Sequence, residues 1–338
     1  MAPASLGASV GPPPSRQSTG GLVISLDMEL MWGVRDHRTR DDYGHRVLGE
    51  RQAIPAMLDL FERKGIHATW AVVGFVMCDG RDELLARAPA ERPTYQNPVY
   101  SAYSYLSEAG DSERSDPYYF APSLIRRISS CPHQEISTHT FSHYYCLEPG
   151  QTPAQFGSDL DSAIRLLQDW NLGCSSIVFP RNQYSMPYLQ ACASRGITVF
   201  RGNEKSWFYK GVPGEDQNRL RRLGRLADSY MPLTGSNIQR PEQVGGLTNI
   251  PSSRLLRPYN ERLRHLEPAR LARITRAMTK AARTGAIFHL WWHPHNFGAD
   301  TNKNVEFLGR IVEHYHMLSD RFGMSSLSMS EAASWPAT

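Results

Sequence analysis

The sequence is poor in cysteine, and its cysteines are not arranged to form a disulfide framework or a thiolate metal site. There are five, an odd number without a Cys-x-x-Cys pair, at Cys78, Cys131, Cys146, Cys174 and Cys192. Disulfide-stapled domains and thiolate zinc sites need paired thiols at short spacings. We therefore expect free thiols and a cytoplasmic location.

The sequence also lacks long apolar runs, a pattern typical of a secretory leader in residues 1–20, and a strong excess of one charge. No apolar run approaches the roughly 18 residues of a membrane helix, so we expect no membrane span. Residues 1–20 contain three consecutive prolines but no basic segment followed by an apolar one, and we expect a disordered lead there. Lysine and arginine number 37 against 33 aspartates and glutamates, and this net charge of +4 gives no reason to expect nucleic-acid binding.

The sequence does contain a regular alternation of strand-like and helix-like segments. The apolar runs that predict strands include residues 22–26, 68–77, 177–179, 197–200 and 286–292. Alternation of this kind is typical of an α/β fold with a parallel sheet, in which ligands bind at the carboxyl ends of the strands. We expect one domain over residues 21–330, with long insertions around 80–122 and 202–260.

Two carboxylates follow the first of these apolar runs. Asp27 and Glu29 are two residues apart, so on a strand their side chains point to the same side. Such groups are costly to enclose unless a metal ion or an arginine compensates their charge. A solvated strand end is the alternative, but the apolar residues Leu30, Met31 and Trp32 follow at once and favour enclosure.

A pair of histidines gives the strongest chemical signal. His139 and His143 are four residues apart at the end of another short apolar run, and one helical turn or a tight loop would bring both rings to the same side. Neutral imidazole is a common ligand of zinc. Two loop histidines that hydrogen-bond to neighbours would show the same spacing, so the pair indicates a metal site only together with the other motifs.

An arginine and a histidine end two further predicted strands. Arg181 follows residues 177–179 and could hold a catalytic carboxylate in its ionised form, although a surface arginine would look the same. His293 ends the run 286–292 just before a proline, and an ordinary pKa of about 6.5 suits a general acid. We favour His293 over His295 for that role.

Other residues of the same segment have less specific signals. We expect His289 to be a buried residue with satisfied ring nitrogens, and His295 to be a loop residue or a substrate contact. Trp292 is a further candidate for substrate contact. A basic stretch, Arg219–Arg225, is interleaved with leucines and indicates a solvated helix face, with contact to an anionic glycan or a phosphate as the alternative.

The motifs together resemble the polysaccharide deacetylase family, also called the NodB-homology or carbohydrate esterase family 4 type. That family has an acidic pair at a strand end, a His-[Ser/Thr]-x-x-His motif, an arginine-containing loop and a late strand-end histidine, in this order. Here they read Asp27-Met28-Glu29, His139-Thr140-Phe141-Ser142-His143, Arg181-Asn182-Gln183-Tyr184 and His293-Pro294. The resemblance implies a distorted, incomplete (β/α) barrel of about seven parallel strands.

The resemblance also implies roles for these residues. Asp27 would be the general base, oriented by Arg181, and His293 the general acid. Glu29, His139 and His143 would bind a divalent metal, most simply zinc. A backbone N–H near Tyr184 would help to bind the oxyanion.

The acidic pair departs from the common family pattern, which has two adjacent aspartates. Met28 stands at the second position here, so the chain resembles the branch with an acid-x-acid spacing, in which Glu29 inherits the ligand role. An exchange of roles between Asp27 and Glu29 is the alternative. The expected activity is metal-dependent removal of an acetyl group from an N-acetylated sugar or polysaccharide. Hydrolysis of a small non-sugar amide, or an inactive barrel that binds carbohydrate, are the other hypotheses.

Overall fold

The structure is a computed structural model that describes residues 20–207, 209–214 and 219–335. Apart from Gly20, the predicted disordered lead lies outside the described residues. The strands are β1 (Gly21–Met28), β2 (Ala68–Val72), β3 (Gln134–Thr138), β4 (Ser176–Ile177), β5 (Val199–Phe200), β6 (Glu242–Val244), β7 (Leu247–Asn249), β8 (Arg254–Leu255), β9 (Ile287–Trp292) and β10 (Ser325–Leu327). The helices are α1 (Arg40–Lys64), α2 (Gly74–Met77), α3 (Arg81–Arg87), α4 (Pro122–Ser130), α5 (Pro153–Asp169), α6 (Met186–Ala193), α7 (Arg219–Asp228), α8 (Glu267–Thr284), α9 (Thr301–Phe322) and α10 (Met329–Ala333).

The strands form one curled, mostly parallel sheet. Their order is β6-β7-β5-β4-β3-β2-β1-β9-β8, with β10 beside the start of β1, and β6 and β7 are antiparallel to each other. The predicted incomplete (β/α) barrel is therefore confirmed. In the described part of the chain the sheet has ten strands rather than about seven, because strands of two or three residues, such as β8 and β10, leave little pattern in a sequence.

Strand β1 pairs with β2, β9 and β10 and is buried along its whole length. Leu22, Leu26 and Met28 pack in the main core, beneath the surrounding helices. The alternate side chains face the inside of the curled sheet, where Val23 packs in a smaller apolar cluster. Because successive side chains point to opposite faces, Asp27 lies on that inner side too.

Two predicted segments differ from their expected form. The strand predicted over residues 68–77 ends at Val72, because the backbone N–H groups of Gly74 and Phe75 donate instead to carbonyls of the loop after β3. A Cβ at Gly74 would lie 2.5 Å from the Phe141 ring, so this close approach needs glycine. The segment 202–260, predicted as an insertion, contributes strands β6 to β8 to the sheet.

The structure also bears on the expected free thiols and on the expected lack of a membrane span. All five cysteines are unpaired. None of the helices in the described part of the chain is long and apolar enough to cross a membrane.

The long helix α1 supports the turn that follows β9. This turn, Pro294–Phe297, carries His295 and ends at Gly298. A Cβ at Gly49 of α1 would lie 1.9 Å from the carbonyl oxygen of Gly298, so helix and turn are in backbone contact. The turn after His293 can therefore lie this close to α1 only because residue 49 is glycine.

We predict that Gly49→Ala destabilises the protein, although alanine favours helix formation. The methyl group must displace the Gly298 backbone, and overpacking of this kind costs about 1–3 kcal/mol. Gly309→Ala is the matched control, because Gly309 lies in α9 and a Cβ there would meet nothing within 4 Å. The control should gain up to about 1 kcal/mol in urea unfolding. Equal effects of the two changes would show that the helix and the turn are not in contact.

Candidate active site

The predicted site residues meet at the carboxyl ends of three neighbouring parts of the sheet. Asp27 lies near the end of β1, Glu29 directly follows it, His139 follows β3, and His293 follows β9. The first three are almost completely buried, whereas the His293 side chain is 26% exposed. His293 therefore lies at the opening of the site, and the others lie at its base.

Glu29, His139 and His143 form a compact group that could hold a metal ion. One ligand atom from each lies within 4.8 Å of the others. Oε2 of Glu29 is 3.5 Å from Nε2 of His139 and 3.0 Å from Nε2 of His143. Nε2 of His143 is buried and makes no well-aligned hydrogen bond, although it lies beside the Glu29 oxygen, so two potential metal ligands are in close contact here. Two imidazoles and a carboxylate are a donor set that suits zinc.

The two histidines differ in their outer contacts. Nδ1 of His139 is 2.8 Å from the carbonyl oxygen of Val178, and because a carbonyl only accepts, Nδ1 carries the hydrogen and Nε2 keeps a free lone pair. Nδ1 of His143 is 3.1 Å from a guanidinium nitrogen of Arg35, which only donates. In its neutral form His143 therefore carries its hydrogen on Nε2, the atom that faces Glu29.

Burial and charge set the protonation states of this group. Burial lowers the pKa of His143 to about 4, although Glu29 acts in the opposite direction, so the ring is neutral near pH 7. Burial also acts to raise the pKa of Glu29, but the nearby imidazoles outweigh it and hold that pKa well below its ordinary value. The group thus presents an ionised carboxylate at Glu29 beside a neutral ring at His143, and a metal bound at Nε2 of His143 would displace the hydrogen that this atom carries.

The loop from His139 to His143 is held in a tight, partly left-handed conformation. Thr140 and His143 have φ angles of 65° and 56°, a region that residues with a side chain adopt rarely. The backbone N–H groups of Phe141 and Ser142 donate to the carboxylate of Asp159, on α5, at 2.8 and 3.1 Å. Asp159 therefore fixes the turn that places the second histidine, a role that its position in an amphipathic helix did not indicate.

Asp27 is held by Arg201 and not by Arg181, so the predicted pairing was wrong. Two guanidinium nitrogens of Arg201 each lie 2.7 Å from a carboxylate oxygen of Asp27, a bidentate pair. Burial acts to raise the pKa of Asp27, but Arg201 and the neighbouring histidines outweigh it, so the pKa is lowered and the carboxyl stays ionised.

Arg181 has other partners. It pairs with Asp36 and, at 3.0 Å, with Glu148, and its guanidinium lies over the Tyr145 ring. The signal for Arg201 was present in the sequence, since it directly follows the predicted strand 197–200 as Arg181 follows 177–179. Spacing alone did not distinguish the two arginines.

His293 is close to both carboxylates. Its Nε2 lies 3.5 Å from Glu29 and 3.9 Å from Asp27. His295 is buried behind it, with the two rings stacked at 5.0 Å, and its Nδ1 has no hydrogen-bond partner. His289 is a buried residue with both ring nitrogens satisfied, by Ser25 and by the carbonyl of Ile250, as the sequence predicted.

The prediction that Trp292 contacts substrate was wrong. Trp292 is completely buried in the main core and stacks on Phe297. Strand alternation places the neighbouring Trp291 on the side of the site instead, with its ring 4.3 Å from the Arg201 guanidinium and 5.6 Å from the His293 ring. The predicted role of Tyr184 stays a prediction, and its half-buried ring packs against Phe179 and Phe200.

Known proteins similar to this chain have the same fold. A solved structure from Mycobacterium smegmatis, named as a polysaccharide deacetylase, aligns with 95% of this chain and 92% of its own length at a TM-score of 0.58 and 12% identity. One from Pseudomonas aeruginosa PAO1 with the same kind of name aligns over 93% and 89%, at 0.53 and 10%. The α-amylase AmyC from Thermotoga maritima aligns over 95% and 75%, at 0.54 and 12%.

Sequence comparison gives a more specific result. No curated protein matches this sequence. Residues 41–200 match the family model of the polysaccharide deacetylases, a span that contains His139 and His143 but not Asp27, Glu29 or His293. The resemblance predicted from the motifs is therefore confirmed, and the chain carries the polysaccharide deacetylase signature over residues 41–200 on a fold that it shares with proteins of that name.

Proposed function

We propose that the chain is a metal-dependent deacetylase that hydrolyses the N-acetyl group of a sugar or polysaccharide. The observation that carries this proposal is the separation of two buried carboxylates by their partners. Glu29 lies against two histidines, whereas Asp27 is paired with an arginine. His293 lies within 4 Å of both. Glu29 is thus placed to bind a metal, and Asp27 is placed to accept a proton.

Glu29, His139 and His143 would hold the metal, which we propose to be zinc. When bound, zinc polarises an acyl carbonyl and makes water easier to deprotonate. Asp27 takes a proton from the attacking water, because Arg201 keeps it ionised and oriented. The water oxygen bonds to the acyl carbon. His293 gives a proton to the nitrogen as the carbon–nitrogen bond breaks, so that acetate and an amine are released.

Met28 raised the hypothesis of an inactive barrel because it occupies the position of the common second aspartate. Its side chain is completely buried in the main core, on the opposite side of β1 from Asp27. It does not displace a ligand, since Glu29 reaches the histidines from the next position on the inner side. The acid-x-acid assignment is thus consistent with the geometry.

The unpaired cysteines support the cytoplasmic location predicted from the sequence, which stays a prediction.

The proposal is tested with purified protein and a panel of amides. Acetate release is measured from chitooligosaccharides and from small non-sugar N-acetyl amides, before and after removal of metal with a chelator and after zinc is restored. Zinc-dependent release from the sugars supports the proposal. Release from the small amides alone would favour the alternative hydrolase, and binding of chitooligosaccharides without release would favour an inactive barrel.

We predict that the metal-free protein binds one zinc ion per chain and that His139→Ala and Glu29→Gln weaken this binding. Each change removes one of the three ligands. The loss should exceed the roughly 10–100-fold that removal of an outer partner costs. His265→Ala, at an exposed histidine, is the control. Isothermal titration measures the affinities, and unchanged zinc binding in both ligand variants would place the metal elsewhere.

We predict that Arg35→Gln tightens zinc binding by about tenfold, the scale of outer-partner effects. The guanidinium holds the proton of neutral His143 on Nε2 and adds a positive charge beside the metal position, whereas a glutamine oxygen can accept from Nδ1. Chelator competition measures the change, with Arg63→Gln, at an exposed arginine, as the control. Weaker binding by a variant that still unfolds cooperatively would show that Arg35 supports the metal.

We predict that Asp27→Asn and His293→Ala each lower kcat by about two to four orders of magnitude while zinc stays bound. The first change removes the base and the second removes the acid, and neither removes a metal ligand. His295→Ala should have a smaller effect, because its buried ring lies behind His293. Steady-state kinetics and zinc content are measured together. A larger loss for His295→Ala than for His293→Ala would transfer the acid role to His295.

A further inference from the structure

A cleft of about 470 Å³ adjoins the candidate active site. Trp291 and Asn182 line it, and both contact Arg201, the partner of Asp27. The Trp291 ring is also 5.6 Å from the His293 ring. A substrate whose amide lies at His293 therefore has this cleft as its nearest neighbouring space on the Trp291 side.

The cleft is lined by basic side chains from several parts of the chain. They are Arg181, Lys210, Arg222, Arg225 and Arg257. The charge of Arg181 is balanced by Asp36 and Glu148. Within the described ranges, which omit residues 208 and 215–218, no carboxylate forms an ion pair with Lys210, Arg222 or Arg257. The cleft thus has an excess of positive charge.

Arg257 is the best-placed of these groups. It is only partly exposed, and its Nε donates to the hydroxyl of Ser229 at 2.8 Å, a neutral partner. Burial lowers the pKa of Arg257, and burial together with the charge of Arg257 lowers that of Arg225. A guanidinium that is drawn from water without a carboxylate is costly, and an anion in the cleft would offset that cost.

Among the described residues that line the cleft, Glu204 is acidic, and it does not neutralise the basic groups. Glu204 is buried, and its carboxylate lies 3.5 Å from Nε1 of Trp291. The positive charge of Arg254 also interacts with this carboxylate. Burial raises its pKa above the ordinary value, which reduces its tendency to ionise. The arginines and the lysine therefore dominate the electrostatics of this space.

We propose that the cleft binds an anionic group of the substrate, so that the enzyme acts on N-acylated substrates that carry a carboxylate, phosphate or sulfate near the cleaved amide. The inference rests on the proposed function, because it assigns the substrate class of that site. Guanidinium groups bind all three anions through charge-assisted hydrogen bonds. The basic stretch of the sequence thus supplies, through Arg222 and Arg225 of α7, part of a binding site and not only a solvated face.

The test compares N-acetylglucosamine with its 6-phosphate, its 6-sulfate and its 6-carboxylate, which share one amide and differ in charge. The zinc-loaded enzyme should show kcat/KM at least tenfold higher for one or more of the anions than for the neutral sugar, and the rank among the three identifies the preferred anion. Arg257→Gln and Arg222→Gln should remove most of that preference through KM. Arg262→Gln, at an exposed arginine outside the cleft, is the control.

Binding of the same four sugars is measured by calorimetry, so that the outcome does not depend on turnover. Weaker binding of the anionic sugars by Arg222→Gln, an exposed position whose change spares the core, supports the cleft even if no sugar is hydrolysed, and in that case only the proposed function fails. Equal affinity and equal kcat/KM for neutral and anionic sugars would overturn the inference. So would a preference that both cleft variants retain, or no binding of any anionic sugar.

Discussion

The contact between the Glu29 carboxylate and two imidazoles is the constraint on which the site depends. An ionised carboxylate is costly to bury without a compensating charge, and burial keeps His143, one of the two imidazoles beside Glu29, neutral near pH 7. A divalent ion held by Glu29, His139 and His143 would supply a compensating charge. The surrounding structure fixes this arrangement. Strand β1 determines the position of Glu29, and a partly left-handed loop that is hydrogen-bonded to Asp159 determines the position of His143.

The second carboxylate, only two residues away, has a different environment and so a different chemistry. Arg201 satisfies both oxygens of Asp27, which leaves it ionised without any need for a metal. Two acids on one face of one strand can thus divide metal binding and proton transfer between them. Trp291 connects this pair to the basic cleft, because its ring lies against the Arg201 guanidinium and also lines the cleft.

Strand alternation and motif spacing predicted the parts of the site that are local in sequence. Parallel strands end at one edge of the sheet, and this brings together Asp27, Glu29, His139, His143 and His293. Three contacts depend on long-range packing, which no local sequence pattern contains. Arg201 and not Arg181 pairs with Asp27, Arg35 donates to His143, and Asp159 accepts from the loop that carries His143. Trp292 was the exception, since the alternation that placed His293 should also have placed its neighbour in the core.

The central claim is that Glu29 binds the metal and Asp27 does not. Anomalous diffraction at the zinc edge, from crystals of the zinc-loaded protein, tests this directly. The account predicts one strong peak about 2 Å from a Glu29 oxygen and from Nε2 of His139 and His143, with Asp27 still paired to Arg201. A peak bounded by Asp27 in place of Glu29, or one outside this group, would contradict it.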